Sequence, residues 1–148
     1  MKLTEHFTLE ELTASNTAKA KHIDNNPPED IVANLKALCE NVLEPLRNIY
    51  GKPMQISSGY RSPALNKAVG GASTSQHCKG MAADLDCGSV SANKALWNIV
   101  HEHKLDFDQC IDESNYSWVH ISYRPDGTNR HQSLRMVKKN GKSTYVNA

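Results

Sequence analysis

At 148 residues the chain can bury roughly two-thirds of its unfolded surface in one core, so a single domain is expected without disulfide staples. Its 17 Lys and Arg against 16 Asp and Glu leave a formal net charge of +1, which argues against a nucleic-acid binder and against an acidic partner. No apolar run approaches transmembrane length, and Met1 to His6 lacks a signal-peptide core, so the expectation is a monomer made in the cytoplasm with no membrane attachment.

Phe7 to Leu12 reads as a short amphipathic turn, with Thr8 as N-cap and Glu11 completing a capping box. Residues 13 to 26 are polar and read as irregular. Asn26-Pro27-Pro28-Glu29-Asp30 then opens the longest helix, with prolines and acids where a first turn favours them. Its apolar stripe is Ile31, Leu35, Leu38, Val42, Leu46 and Ile49, and Pro45 should kink it or end its regular hydrogen bonding. After a break at Gly51-Lys52-Pro53, Met54 to Ser58 reads as a strand leading into Gly59-Tyr60-Arg61. Ser62-Pro63 starts a short helix over 64–69, which Gly70-Gly71 ends.

The polar loop from Ala72 delivers Ser75-Gln76-His77-Cys78-Lys79-Gly80, and Met81 to Asp86 alternates as a strand with Ala82, Asp84 and Asp86 on one face. Ser89 or Ser91 caps a helix to about His103, with Leu96, Ile99 and Val100 facing inward. Phe107 to Asp112 and Ser117 to Tyr123 form a hairpin around Glu113-Ser114-Asn115-Tyr116. In its second arm Trp118, His120 and Ser122 share a face. From Arg124 onward six basic residues and one acid give a local net of +5, read either as a surface for an anionic cell-wall polymer or as a solvated tail. Leu134 to Val137 and Ser143 to Val146 are at best short edge elements. Cys39, Cys78, Cys87 and Cys110 lie far apart with no Cys-x-x-Cys pair, which favours free thiols.

His77, Asp84 and His120 are zinc ligand types, and three protein ligands plus water is the usual catalytic arrangement. The seven-residue gap from His77 to Asp84 does not place both on one helical turn, so a loop followed by a strand is the natural geometry. A purely structural zinc would need a fourth protein ligand, for which Cys78 or Cys87 is available.

Ser75-x-His77-x-x-Gly80-x-Ala82-x-Asp84 followed by Trp118-Val119-His120 resembles the M15 family of zinc peptidases, which includes D-Ala-D-Ala carboxypeptidases and phage endolysins that cut peptidoglycan peptides. The likeness extends over Phe7 to Leu12, Glu44 to Arg47, Ser57 to Pro63 and Phe107 to Ile111. The resemblance implies an α+β fold, a small antiparallel sheet flanked by helices around one zinc held by His77, Asp84 and His120. It implies that Arg61 steadies the substrate carbonyl and developing oxyanion, a task suited to a permanently charged planar fork. Ser75, Gln76 and Tyr60 are expected at the substrate, and Asp86 and Trp118 behind the ligands.

The sequence departs from better-known members at the general base. Several of those carry an acid three positions before the last histidine, where this chain has Ser117. Glu113 is the favoured replacement and Asp112 the alternative, either acting to take a proton from zinc-activated water and return it to the leaving amine. The resulting expectation is a zinc peptidase acting on peptidoglycan stem peptides, reaching the wall by holin-assisted release. Two rivals remain open at this level: a non-catalytic zinc module that grips wall peptides, and a cytoplasmic carboxypeptidase acting on free dipeptides.

Overall fold

The computed structural model describes residues 1–148 and shows an α+β fold built on one six-stranded sheet. Short helices α1 (Leu9–Thr13) and α2 (Asn16–Ala20) come first, each capped by a hydroxyl. Thr8 and Glu11 form the expected reciprocal capping box. Helix α2 falls in the stretch read as irregular: the Ser15 hydroxyl accepts from Ala18 N and starts a helix too short to show an apolar period.

The long helical rod is α3 (Glu29–Leu38), a π-helical turn over Cys39–Leu43, and α4 (Glu44–Tyr50). Its N-cap is Pro28 without a side-chain bond, while the backbone N–H of Asn26 is turned to Asp24. Pro45 has no N–H to return to the preceding turn, and the rod absorbs this with a wider turn in which Glu44 N donates to Cys39 O. The extra residue rotates the helix face, so Cys39, Val42, Leu43 and Leu46 are buried while Ile49, last of the expected stripe, is 40% exposed.

Strand β1 (Ile56–Ser58) is shorter than the run from Met54 suggested. Ser62 caps α5 (Pro63–Ala68) through Leu65 N. A single 3-10 turn, Gln76–Lys79, leads into β2 (Ala82–Leu85). Helix α6 (Val90–Glu102) is capped by Ser89, not Ser91. Strands β3 (Gln109–Glu113) and β4 (Trp118–Ser122) make the expected hairpin, and β5 (Gln132–Lys139) and β6 (Lys142–Asn147) make another. No helix is long and apolar enough to cross a membrane.

The sheet order is β1-β2-β4-β3-β5-β6, and every pairing is antiparallel except β3 with β5, which makes the sheet mixed. The loop from β4 to β5 returns across the end of the hairpin and starts β5 in the direction of β3, which no local signal announces. The basic stretch is therefore neither a loose tail nor a pair of short edges. Arg124, Arg130 and Arg135 pair with buried acids, whereas Lys138, Lys139 and Lys142 are exposed on the outer hairpin.

One face of the sheet is covered by the rod and α6. Ala83 and Leu85, Cys110, and Val119 and Ile121 point into that core against Leu35, Leu38, Leu96 and Val100. Side chains alternate along a strand, so Asp84, His120, Ile111 and Glu113 must point to the other face.

Candidate metal centre and groove

That other face forms the floor of a groove of about 940 Å³, walled by the loop before β2, the loop after β4 and β6. At its centre, β2 and β4 pair so that Asp84 stands directly opposite His120. Asp84 Oδ1 lies 3.1 Å from His120 Nδ1 and 3.4 Å from His77 Nε2. The three donor atoms fall within 4.8 Å of one another, and no other His, Cys, Asp or Glu joins them.

Gly80 places His77. It ends the 3-10 turn in a left-handed conformation, φ +69°, and packs so closely on α3 that an added Cβ would lie 2.8 Å from Ile31 Cγ2. The Ser75 hydroxyl accepts from His77 N at the start of the turn and so orients the loop that carries His77. His77 is 3% exposed, and its Nδ1 donates to Gly59 O at 2.7 Å, leaving the Nε2 lone pair turned toward Asp84. Gly59 has no room for a side chain in this position, since a Cβ would lie 2.2 Å from Leu12 O and the backbone would have to shift.

The donor set fits zinc. With metal–ligand bonds of about 2.0–2.1 Å, two ligands of a tetrahedral site stand about 3.3 Å apart, close to the two Asp84–histidine separations. Burial would raise the Asp84 carboxyl, but the His120 and His77 imidazoles beside it outweigh burial and hold the group below the usual carboxylate range. The carboxylate therefore stays charged. Cys78 and Cys87 do not complete a fourth protein position: neither sulfur joins the three donor atoms, and Cys87 lines a separate hollow beside Met54 and Ile56.

Arg61 reaches the same point from the segment after β1. Its Nε donates to Ser58 Oγ and its Nη1 to Asn66 Oδ1, each at 3.2 Å, leaving Nη2 at 3.7 Å from Asp84 Oδ2. Gly71 lets Asn66 approach, because a Cβ there would overlap Asn66 Oδ1 at 2.1 Å. The guanidinium is thus fixed and faces the groove.

Glu113 and Asp112 separate cleanly. Glu113 ends β3 opposite Trp118, is 7% exposed and lines the groove. Burial pushes its carboxyl above the usual range; His120 opposes this and the Asp84 charge adds to it. Asp112 points to the core side, where it accepts from Tyr116 N at 2.6 Å and Arg135 Nε at 3.2 Å. Ser117 is exposed in the turn, its hydroxyl donating to Ser114 O.

Two expected site residues lie elsewhere. Tyr60 is 5% exposed within the core, where its N donates to Leu12 O and its carbonyl accepts from Asn25, and it does not line the groove. Asp86 lies beyond the end of β2, where the face alternation no longer holds, and accepts from Asn93 and Gly88 N near the start of α6. Gln76 lines the groove, and so does Trp118, a residue expected behind the ligands.

Four residues in or behind the groove carry no signal strong enough to be singled out from sequence. Asp108 has no exposed surface and joins Gln76 to the loop after β4; an Asp within Phe107-Asp108-Gln109-Cys110-Ile111, at the start of an apolar strand, is the only hint. Arg124 and Arg130 sit in the basic stretch. Tyr145 is brought to the Glu113 side of the groove only by the pairing of β5 and β6.

Comparison with known proteins agrees with this geometry. Residues 5–122 match the model of the family Peptidase M15, and the chain belongs to that family. Over 48 residues it is 48% identical to the zinc D-Ala-D-Ala carboxypeptidase of Streptomyces albus G, a segment that is 32% of this chain and 19% of the relative. The chain therefore matches about a fifth of that relative's length.

Proposed function

We propose that this M15 peptidase hydrolyses peptide bonds in peptidoglycan stem peptides, as a monomer acting at the cell wall after holin-assisted release, with zinc held by His77, Asp84 and His120. The supporting observation is one groove that brings together the metal-ligand triad, a fixed guanidinium and one buried carboxylate with a raised proton affinity.

When bound, zinc supplies a Lewis acid at the scissile carbonyl and acidifies a water toward neutrality. The chain's own groups do the rest. The Gly59 carbonyl fixes the His77 tautomer and ring. Arg61 presents its free edge to the scissile carbonyl oxygen and stabilises negative charge as it develops. Glu113 takes the proton of the attacking water and returns it to the departing amine. Its raised proton affinity suits both steps, since a base that holds a proton more tightly than an exposed carboxylate removes it more readily.

The test is release of new amino groups from purified peptidoglycan by zinc-loaded protein, beside chelated protein and Glu113→Ala. Release lost in both controls supports the reading. Release that survives Glu113→Ala removes Glu113 as base. No release, with wall fragments retained, favours a non-catalytic binding module, and turnover of free dipeptides without wall cleavage favours a carboxypeptidase of soluble precursors.

A further inference from the structure

Beyond the triad, the groove runs on to a second charged constellation that the proposed chemistry does not use. Asp108, fully buried at the entry to β3, accepts from Arg130 Nε at 2.9 Å, Arg130 Nη2 at 2.8 Å and Arg130 N at 3.0 Å. Gln76 Nε2 donates to it at 2.9 Å, and Arg124 Nε stands 3.1 Å away. Nε is the closest approach of Arg124 to Asp108, and no hydrogen bond engages its outer nitrogens. Its backbone is fixed by Asn129, whose Oδ1 accepts from Arg124 N at 2.7 Å.

Both arginines line the groove. Two guanidiniums share one buried carboxylate. A second acid at this end, Asp126, has its Oδ1 turned into its own loop, where it accepts from Thr128 N at 2.9 Å and Thr128 Oγ1 at 2.6 Å, and it forms no ion pair with either arginine. The pair is also fixed relative to the metal ligands. Gln76 immediately precedes His77, and Arg124 follows His120 by four residues, about 13 Å of extended chain.

A guanidinium held along one edge, with the other edge free in a groove, is organised in advance for a planar anion that accepts two parallel N–H bonds. We propose that Arg124 and Arg130, held by Asp108, form a subsite for a carboxylate of the substrate peptide, separate from the carbonyl that Arg61 faces. This rests on the peptidase reading and narrows it. The bond cut is then chosen by its distance from a free carboxylate, and amidation of that carboxylate protects the peptide.

The test uses zinc-loaded full chain and synthetic stem pentapeptides in pairs, with the α-carboxylate of the D-glutamyl residue or the C-terminal carboxylate replaced by carboxamide. For one of the two positions, amidation is expected to raise KM about 10-fold or more with little change in kcat. Arg124→Gln should raise KM by a similar factor for the carboxylate form alone, and Arg124→Lys should recover part of the loss. Equal handling of carboxylate and amide forms by the unaltered protein overturns the subsite without reliance on any variant, as does an equal loss for both forms in Arg124→Gln. If no peptide is cut, the peptidase reading fails, and calorimetric binding of the same pairs decides the subsite: tighter binding of a carboxylate form, abolished in Arg124→Gln, upholds it, and equal or absent binding overturns it.

Discussion

Asp112 and Glu113 are neighbours in sequence and stand on opposite faces of β3, Asp112 toward the helices and Glu113 in the groove beside the triad. The alternation of a strand therefore divides two acids that the sequence leaves equivalent. Glu113→Gln is expected to lower kcat/KM by about 100- to 10,000-fold, the range for loss of a positioned general base. Asp112→Asn should leave kcat nearly unchanged and instead destabilise the fold by about 1–3 kcal/mol, because Arg135 and the Tyr116 N–H lose a charged acceptor. Steady-state kinetics beside denaturant unfolding of both variants checks the division.

Glu113 also predicts a pH-dependent stability in metal-free protein. Its folded carboxyl holds a proton more tightly than the ordinary value of 4.5, so the group favours the fold below that pH and disfavours it as pH rises through its folded value. Glu113→Gln should match the unaltered protein in stability at pH 4 and exceed it at neutral pH. Urea midpoints of the chelated proteins across that window give the comparison, and a variant less stable at neutral pH would contradict it.

Orientation of His77 by Gly59 has a measurable cost when disturbed. A methyl group at Gly59 would collide with Leu12 O and push away the carbonyl that accepts from His77 Nδ1. Gly59→Ala is expected to weaken zinc affinity about 10- to 100-fold in competition with a chromophoric chelator. His120→Ala, which deletes a donor outright, should abolish the thermal stabilisation that zinc gives the unaltered protein.

Asp108 should behave as an acid that stabilises the fold when charged. Burial alone would raise its carboxyl, but the Arg130 hydrogen bonds prevail and hold it below the usual range. Its contribution is therefore complete above the unfolded value near 3.8 and is lost as pH falls through the lower folded value. Asp108→Asn should cost about 1–3 kcal/mol at neutral pH and less at strongly acid pH, read from unfolding curves at both.

Much of the site was legible because it depends on local order. The His77–Gly80–Asp84 spacing, the small residues around Asp84, and the alternation of Trp118 to Ser122 fix which atoms face the groove once the strands form. Capping hydroxyls at Thr8, Ser62 and Ser89 act within a single turn, so their helices start where the sequence placed them. Ile49, Tyr60 and Asp86 were misplaced where that local order fails: a π turn rotates the rod, the chain leaves β1, and β2 ends one residue before the third face position.

The sequence by itself determined the metal-ligand types, the α+β class and the two candidate bases, because these follow from side-chain chemistry and short periods. Only the tertiary structure placed Glu113 in the groove and Asp112 on the opposite face, turned the basic stretch into two strands, and gathered Arg124, Arg130 and Tyr145 along one groove. Those outcomes depend on the parallel pairing of β3 with β5, a contact between segments about 20 residues apart that the backbone ladder, the Asp112–Arg135 pair and the buried Asp108 ion pairs hold in place.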